Sequence, residues 1–292
     1  MADPQLSWDL AKDVRQLFDF EFMVNAYQAG TIVAVMAALI GWFMVLRRQT
    51  FAGHTLALVG FPGASGAALV GISATYGYFA FAIVAAIVLA VAAPRSGRAS
   101  YSNESAVVGT IQAFALAAGF LFVSLSSKNV TGVQSLLFGS FIGITADQVL
   151  VLLAGAALGL VALIFIARPL LFASVDPDVA TARGVPSGAL SVLFLLLLGL
   201  AAAEASQVTG SLLVFALLVL PAATAETLTA RPAVSVVVTV AIALLVTWLA
   251  LAMAYYSDYP IGFYVTSLAF AAYVLALVWR TSARRAGLSW AR

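Results

Sequence analysis

The chain contains one histidine, His54, within the stretch LRRQTFAGHTLALVGFPGASGAAL at residues 46–69. An imidazole nitrogen is a common ligand of zinc and other divalent transition metals. No cysteine is present to supply a thiolate, and the same absence excludes disulfides. A lone histidine in an apolar segment is also found as a polar group that faces a cavity or a neighbouring side chain. His54 therefore has two interpretations, a transient metal ligand and a packing residue.

The residues that follow His54 are small. Glycine and alanine recur through them, at Gly60, Gly63, Ala64, Gly66, Ala67, Ala68 and Gly71. Small side chains let helix backbones approach closely in a membrane, where no hydrophobic effect drives the helices together. Pro62 removes a backbone donor and leaves a carbonyl that can face a pore. The pattern predicts a tightly packed helix beside a pathway.

The composition indicates which fold must position these residues. Of the 292 residues, 63% are hydrophobic and 9% are charged, and the mean hydropathy is +1.07. A chain this apolar belongs in a membrane, where only helices and closed barrels satisfy every backbone polar group. The apolar runs are too continuous for the alternation of a barrel strand. We therefore predict an all-α polytopic membrane protein.

Apolar runs of roughly 17 to 25 residues mark the spans. Nine are predicted, at residues 24–46, 55–73, 77–93, 103–126, 149–170, 188–203, 210–228, 233–255 and 261–279. The chain then divides into an extracytoplasmic or interfacial segment at 1–23, a transmembrane domain at 24–280 and a basic tail at 281–292. No nucleotide-binding motif interrupts it, so an energy source has to lie on another chain or in an ion gradient.

Basic residues set the expected orientation. Eleven arginines fall at alternating ends of the predicted spans: Arg47, Arg48, Arg95, Arg98, Arg168, Arg183, Arg231, Arg280, Arg284, Arg285 and Arg292. The positive-inside rule makes those ends cytoplasmic and places the N-terminus outside and the C-terminus inside. In this reading Arg47 and Arg48 are simple cytoplasmic anchors. The predicted location is a bacterial plasma membrane.

Two segments are too polar to span. Residues 127–148 read as a re-entrant or interfacial hairpin on the outer side. On the cytoplasmic side, Asp176 is a good N-cap before Pro177 at the first helical position, Asp178 suits the positive end of the helix dipole, and Gly184 is a typical stop. This short capped helix is either an ordinary connection or a knob that docks into a cytoplasmic partner.

Four segments in consistent order carry a family resemblance. They are the His54 stretch, SLLFGSFIGIT at 135–145, the pattern Asp-Pro-Asp-x-Ala-x-x-x-Gly-Val from Asp176, and LLVFALLVLPAATA at 212–225. From about residue 24 to 279 the chain resembles the permease subunit of the ABC-3 family, the binding-protein-dependent importers of zinc and manganese. The resemblance implies a type II ABC importer-like permease.

The resemblance also implies the partners. It predicts a homodimer of permease subunits, a dimer of cytoplasmic ABC ATPases that carries the ATP, and an extracytoplasmic solute-binding protein that delivers the metal. The permease itself is then not an enzyme and holds no permanent cofactor, and no nucleic acid is expected as a partner. Residues 174–185 correspond to the helix that couples to the ATPase, with Asp176, Asp178, Ala180, Arg183 and Gly184 as the coupling residues.

The family keeps a metal-binding pair where this chain departs from it. The second span of the family opens Gly-Asp-x-x-x-His, and residues at i and i+4 share a helix face, so the pair can hold one ion. Here the Asp position is His54 and the His position is Leu58. One imidazole remains as the candidate metal ligand. Two copies of His54 facing each other across a dimer axis would restore a pair.

Other polar residues complete the predicted site. Along with His54, Leu58 and Pro62, we expect Pro221 and Thr224 to line the substrate path or a helix contact. Glu204 is expected in a solvated turn at the outer end of the sixth span. Asp258 is expected in an outer loop, as a contact for the binding protein.

The sequence favours an ABC importer permease for a divalent transition metal over three alternatives. A permease for a metal chelate or another small solute stays open, because the family pair is lost. An ion-coupled secondary transporter needs ionisable residues inside the membrane, and the predicted spans contain almost none. A membrane enzyme needs a cluster of Asp, Glu or His inside the bundle, which the sequence does not suggest.

Overall fold

The computed structural model describes residues 15–92, 100–126 and 135–285 and is helical in nearly all of them. Residues 15–18 and 135–138 are single helical turns. The helices, numbered in chain order, are α1 (Glu21–Leu46), α2 (Thr50–Leu69), α3 (Ala74–Ala92), α4 (Ser100–Leu125), α5 (Ala146–Val175), α6 (Pro177–Ala182), α7 (Ser187–Thr209), α8 (Val214–Leu228), α9 (Pro232–Tyr255) and α10 (Ile261–Arg285).

Seven helices in the described residues are long and apolar enough to cross a membrane: α1, α3, α4, α5, α7, α9 and α10. The prediction of nine spans is therefore too high by this measure. α8 has 15 residues, which at 1.5 Å per residue covers only about 23 Å of a bilayer core of about 30 Å. α2 has 20 residues, but its glycines, threonines and serine dilute its apolar content.

α1 is the central helix and packs against α5, α7, α8 and α9. It is buried along most of its length, including Met23, Ala37 and Met44. Gly41 meets the backbone of α8 at Leu218, with no room between them for a side chain. Because lipid gives helices no hydrophobic reason to associate, such close backbone contact is a main source of packing energy.

α2 packs closely on α3, α4 and α7, as its small residues predict. Gly63 lies against the backbone of Gly77 in α3, and neither position has space for a Cβ atom. Gly60 lies against Tyr78 of α3 and Ser206 of α7. Pro62 lies within α2 and is buried. The expectation of a tightly packed helix after His54 is confirmed.

α7 extends beyond the predicted sixth span, which ended at residue 203. The run AAAEASQVT continues the helix to Thr209, because its alanines favour helix and its polar side chains find partners within the bundle. Gln207, for example, accepts a bond of 3.1 Å from the side chain of Gln148 in α5. The expectation that Glu204 sits in a solvated turn was wrong, since it is 0% exposed.

The described part of the predicted outer hairpin does not span. Residues 127–134 lie outside the described residues. After the turn at 135–138 the chain runs as a loop to Thr145, whose side chain caps α5 by accepting a bond from the Gln148 N–H. The carbonyls of Leu136 and Leu137 accept bonds from the N–H groups of Ser211 and Leu212. This segment therefore packs on the α7–α8 connection, which satisfies its backbone.

The boundaries of the two terminal segments also shift. α1 begins at Glu21, inside the segment predicted at 1–23, of which residues 1–14 lie outside the described residues. α10 runs to Arg285, so the first part of the predicted tail at 281–292 is helical. Residues 286–292 lie outside the described residues.

Candidate functional site

His54 lies near the middle of the bundle rather than at the edge of a span. Seven residues before it, Arg47 bonds Ser191 near the start of α7. Six residues after it, Gly60 meets Ser206 near the end of α7. His54 is in α2, which packs on α7, so His54 lies level with about the midpoint of α7. The sequence analysis placed His54 just before a span because it started that span at residue 55, whereas α2 begins at Thr50.

The imidazole of His54 packs edge-on against Phe215 of α8, with ring centroids 4.8 Å apart. Its Nδ1 atom is buried and has no hydrogen-bond partner among the described residues. The described residues therefore bury this nitrogen and leave it without a partner. Leu58, at the other family position, is 2% exposed and adds no donor.

Pro221 and Thr224 are buried on α8, but they lie well away from His54 along the helix. Phe215 is the α8 residue that touches His54, and Pro221 is six residues further, or about 9 Å along the axis. The Thr224 hydroxyl donates to the carbonyl of Leu220 in its own helix at 2.6 Å. The structure therefore brings His54 onto α8 at Phe215 and keeps Thr224 engaged with its own backbone.

Glu204, which the sequence analysis placed in a solvated turn, is a buried carboxyl in α7. Both of its carboxyl oxygens are buried and have no hydrogen-bond partner in the described part of the chain. One of them occupies the space that a side chain at Gly155 of α5 would fill. The signal was the carboxylate itself, because an acidic residue within a long apolar helix of a membrane protein marks a functional position by default.

Glu204 and His54 do not form one site. Glu204 faces Gly155 of α5, whereas Ser206, two residues further along α7, faces Gly60 of α2. Successive positions two apart point about 200° around a helix, so the carboxyl and the imidazole lie on different sides of α7. Within the described residues there is no group of three or more His, Cys, Asp or Glu side chains that could hold a metal.

The predicted capped helix is α6, and its caps match the prediction. The Asp176 side chain accepts a bond from the Val179 N–H at 3.0 Å, with Pro177 at the first helical position. Gly184 follows the helix with a φ of +79°. These residues form a helix because the cap satisfies its free N–H groups and glycine adopts the left-handed conformation that ends it.

Ala180 takes a different place from the one expected. It is 0% exposed and faces its own chain, so it cannot be the residue that enters a partner's cleft. Asp178, Val179, Thr181 and Arg183 are exposed and form the outward surface of α6. α6 packs on α5 and α7, the helices that flank it, and Ala180 is its buried residue.

Arg47 is held by side chains, which sequence reasoning also missed. Its guanidinium donates to the hydroxyls of Ser174 in α5 at 3.3 Å and Ser191 in α7 at 2.8 Å, and to the Gln49 side chain at 3.2 Å. It also lies over the ring of Phe194. Burial lowers the pKa of Arg47 from its ordinary value. The sequence offered one indication of these bonds, a serine on each side of the Asp176 motif.

A cavity of 340 Å³ opens at the end of the bundle opposite α6. The loop around Gly139 and Ile142 forms one wall, and the α9–α10 connection, with Asp258 and Tyr259, forms the other. Ile142 and Tyr259 are 68% and 65% exposed. An apolar rim that carries a carboxylate suits contact with another protein, in agreement with the loop position expected for Asp258.

Comparisons with known proteins match the whole bundle. The sequence model of the ABC 3 transport family covers residues 19–280. The manganese transport system membrane protein MntC of Halalkalibacterium halodurans is 29% identical over 74% of this chain and 73% of its own length. The chelated iron transport system membrane protein YfeC of Yersinia pestis is 29% identical over 87% of this chain and 84% of its own length.

A solved structure has the same fold. PsaBC from Streptococcus pneumoniae, in complex with Fab, superimposes with a TM-score of 0.81 at 23% identity. The match covers 91% of this chain and 95% of that chain. At this level of identity the match concerns the fold, and it agrees with the all-α importer-like architecture predicted from the sequence.

Proposed function

The chain belongs to the ABC 3 transport family, and we propose that it is the membrane-spanning permease subunit of an ATP-driven importer for a divalent transition metal. The family match over residues 19–280 carries this proposal, because it covers all the long helices of the bundle. Two relatives are named for manganese and for chelated iron transport. The free nitrogen of His54 at mid-bundle favours a metal cargo.

Within this proposal His54 is a weak and transient ligand. One imidazole beside Leu58 and Phe215 cannot surround an ion, so the permease passes the metal on rather than storing it. Conduction requires sites that bind weakly enough to release their cargo. Selectivity then belongs mainly to an extracytoplasmic binding protein. A homodimer would bring a second His54 to the path, with Pro62, Pro221 and Thr224 on its buried helices.

The coupling partner is proposed to be a separate pair of ABC ATPase chains that dock on α6. Asp178, Val179 and Arg183 are exposed there and offer charge of both signs. Asp176 and Gly184 fix the ends of the helix, and Ala180 seats it on its own chain. The binding protein is proposed to dock at the opposite end, on the cavity beside Asp258.

The proposed orientation puts α6 in the cytoplasm and Asp258 outside, with the N-terminus outside and the C-terminus inside. The chain has no native cysteine, so single cysteines can be placed without background. Asp258→Cys should react with an impermeant maleimide on intact cells, and Arg183→Cys should react only after lysis. The reverse pattern would overturn the orientation.

The transport proposal is tested by reconstitution. The chain is purified with its ATPase and binding protein and placed in liposomes, and uptake of radioactive manganese, zinc and ferric citrate is followed. We expect accumulation of manganese or zinc that requires both ATP and the binding protein. Accumulation of ferric citrate alone would instead support a chelate permease.

Glu204 gives a secondary transporter more support than the sequence did, because an ionisable residue within a span is what ion coupling needs. The same liposomes distinguish the two classes. A secondary transporter would carry metal in response to a proton or sodium gradient with the chain alone. We expect no such uptake without ATP and the ATPase, and gradient-driven uptake would contradict the ABC assignment.

A further inference from the structure

Arg47 holds together the two helices that carry α6. Ser174, its partner in α5, lies two residues before the Asp176 cap of α6. Ser191, its partner in α7, lies in the first turns of the helix that follows α6. One guanidinium therefore bridges the segment that enters α6 and the segment that leaves it. Any movement of α6 that shifts its two flanks must strain these bonds or carry Arg47 along.

The serine hydroxyls are oriented to receive the guanidinium. The Ser174 hydroxyl donates to the carbonyl of Leu170, and the Ser191 hydroxyl donates to the carbonyl of Ser187. Each hydroxyl has one proton, so with that proton engaged its oxygen can only accept from Arg47. The guanidinium fork reaches two acceptors in fixed directions, which a lysine ammonium on a flexible stem does not reproduce.

Arg47 is also joined directly to α2, the helix of His54. Its Nε donates to the side chain of Gln49, the residue that precedes α2, and the Gln49 carbonyl accepts the N–H of Gly53. Only Arg48 and Gln49 lie between Arg47 and the first residue of α2. Arg48 has a φ of +58°, so the connection is a tight turn rather than a slack loop. A displacement of Arg47 is therefore passed to α2 through Gln49 and the tight turn at Arg48.

The partners of Arg47 hold its guanidinium by hydrogen bonds and a ring contact. All of these partners are neutral: they are the hydroxyls of Ser174 and Ser191, the side-chain amide of Gln49, and the ring of Phe194 at 5.3 Å. Hydrogen bonds from a charged donor are stronger than those between two neutral groups, so three of them keep the guanidinium in place. Contacts that persist are what Arg47 needs in order to carry movement of α6 to α2.

On these grounds we propose that Arg47 is a positioning residue that couples movement of α6 to α2, so that events at the ATPase interface reach the helix of His54. The inference rests on the proposed function for its biological setting. The geometric part of the proposal is that α2 and the two segments flanking α6 move as one unit. This part does not depend on which cargo is transported.

The functional test uses the full complex in liposomes with Arg47→Lys and Arg47→Gln. The matched controls are Arg48→Lys and Arg48→Gln, at the exposed neighbour. Metal transported per ATP hydrolysed should fall about ten-fold in both Arg47 variants, within the usual range of coupling effects. The Arg48 variants should match the wild type. Equal loss of ATPase and transport in the Arg47 variants, or an unchanged ratio, would overturn the proposal.

Removal of the two serine hydroxyls gives a second functional test of the proposal. The double variant Ser174→Ala and Ser191→Ala should lower the same ratio. Adding Arg47→Gln to it should cause little further loss, because residues that act through one contact are not additive. Full additivity would show that Arg47 acts elsewhere and would overturn the proposal.

A structural measurement separates this inference from the cargo assignment. Spin labels are attached at Phe51→Cys in α2 and Val175→Cys at the end of α5, both exposed positions in a chain without native cysteine. Their distance distribution should stay narrow and unchanged with and without nucleotide in the complex, and should broaden with Arg47→Gln. A distance that changes with nucleotide in the wild type, or one unaffected by Arg47→Gln, would contradict the coupling even if metal is transported.

Discussion

Arg47 at the α6 end and two polar residues inside the bundle, His54 and Glu204, differ in how the chain satisfies their polar atoms. Arg47, at the α6 end, donates to three side chains and lies over a ring. His54 and Glu204, deeper in the bundle, each have buried polar atoms with no partner among the described residues. An unpaired buried polar group is costly. The difference teaches that the chain fixes Arg47 with its own side chains, whereas it supplies no partner for the buried atoms of His54 and Glu204.

His54 and Glu204 differ from each other as well. His54 lies on α2 against Phe215, at one of the two positions where the family resemblance implies a metal ligand. Glu204 lies on the far side of α7 against Gly155, one turn from the bonded pair of Gln207 and Gln148. For the imidazole we propose a role in transport. The carboxyl lies at the seam between α7 and α5, against Gly155.

The largest effect is expected from changing the charge at Glu204. Glu204→Lys puts a longer, charged group against the backbone of α5 with no partner, which costs several kcal/mol, so little folded protein should survive extraction. Glu204→Gln has nearly the same shape without a charge and should give a normal yield. Size-exclusion chromatography of both variants in mild detergent measures this. Equal damage by Gln and Lys would mean that Glu204 is charged and paired.

A smaller effect is expected from filling the space beside Glu204. Gly155→Ala puts a methyl group where a carboxyl oxygen lies, and the overlap should cost about 1 to 3 kcal/mol. Alanine gains roughly 1 kcal/mol in helix propensity, which offsets part of that cost. The control is Gly109→Ala in α4, where a new methyl group meets nothing within 4 Å and should be neutral or stabilising. If thermal melts give Gly155→Ala a melting temperature equal to or above that of Gly109→Ala, the contact between Gly155 and Glu204 is not tightly packed.

The local features of the fold followed from the sequence, because short-range chemistry decides them. Asp176, Pro177 and Gly184 predict the limits of α6 through caps and backbone conformation alone. The glycines of α2 predict close packing for a similar reason. The acidic and amide residues of α7 were misread as a turn, since nothing local reveals that α1 and α5 bury that part of the helix. The depth of His54 and the bonds of Arg47 likewise depend on which helices become neighbours.

Transport measurements on three variants of His54 test the central claim most directly. In reconstituted complexes, His54→Ala should lower ATP-dependent metal uptake about ten-fold at unchanged protein yield, of the order seen when a metal site loses one supporting residue. His54→Phe keeps a ring against Phe215 but no nitrogen, and should be as impaired as His54→Ala. His54→Asp with Leu58→His restores the family pair and should recover or exceed wild-type uptake. Normal uptake by His54→Phe would contradict the account, because it would show that His54 serves only to pack against α8.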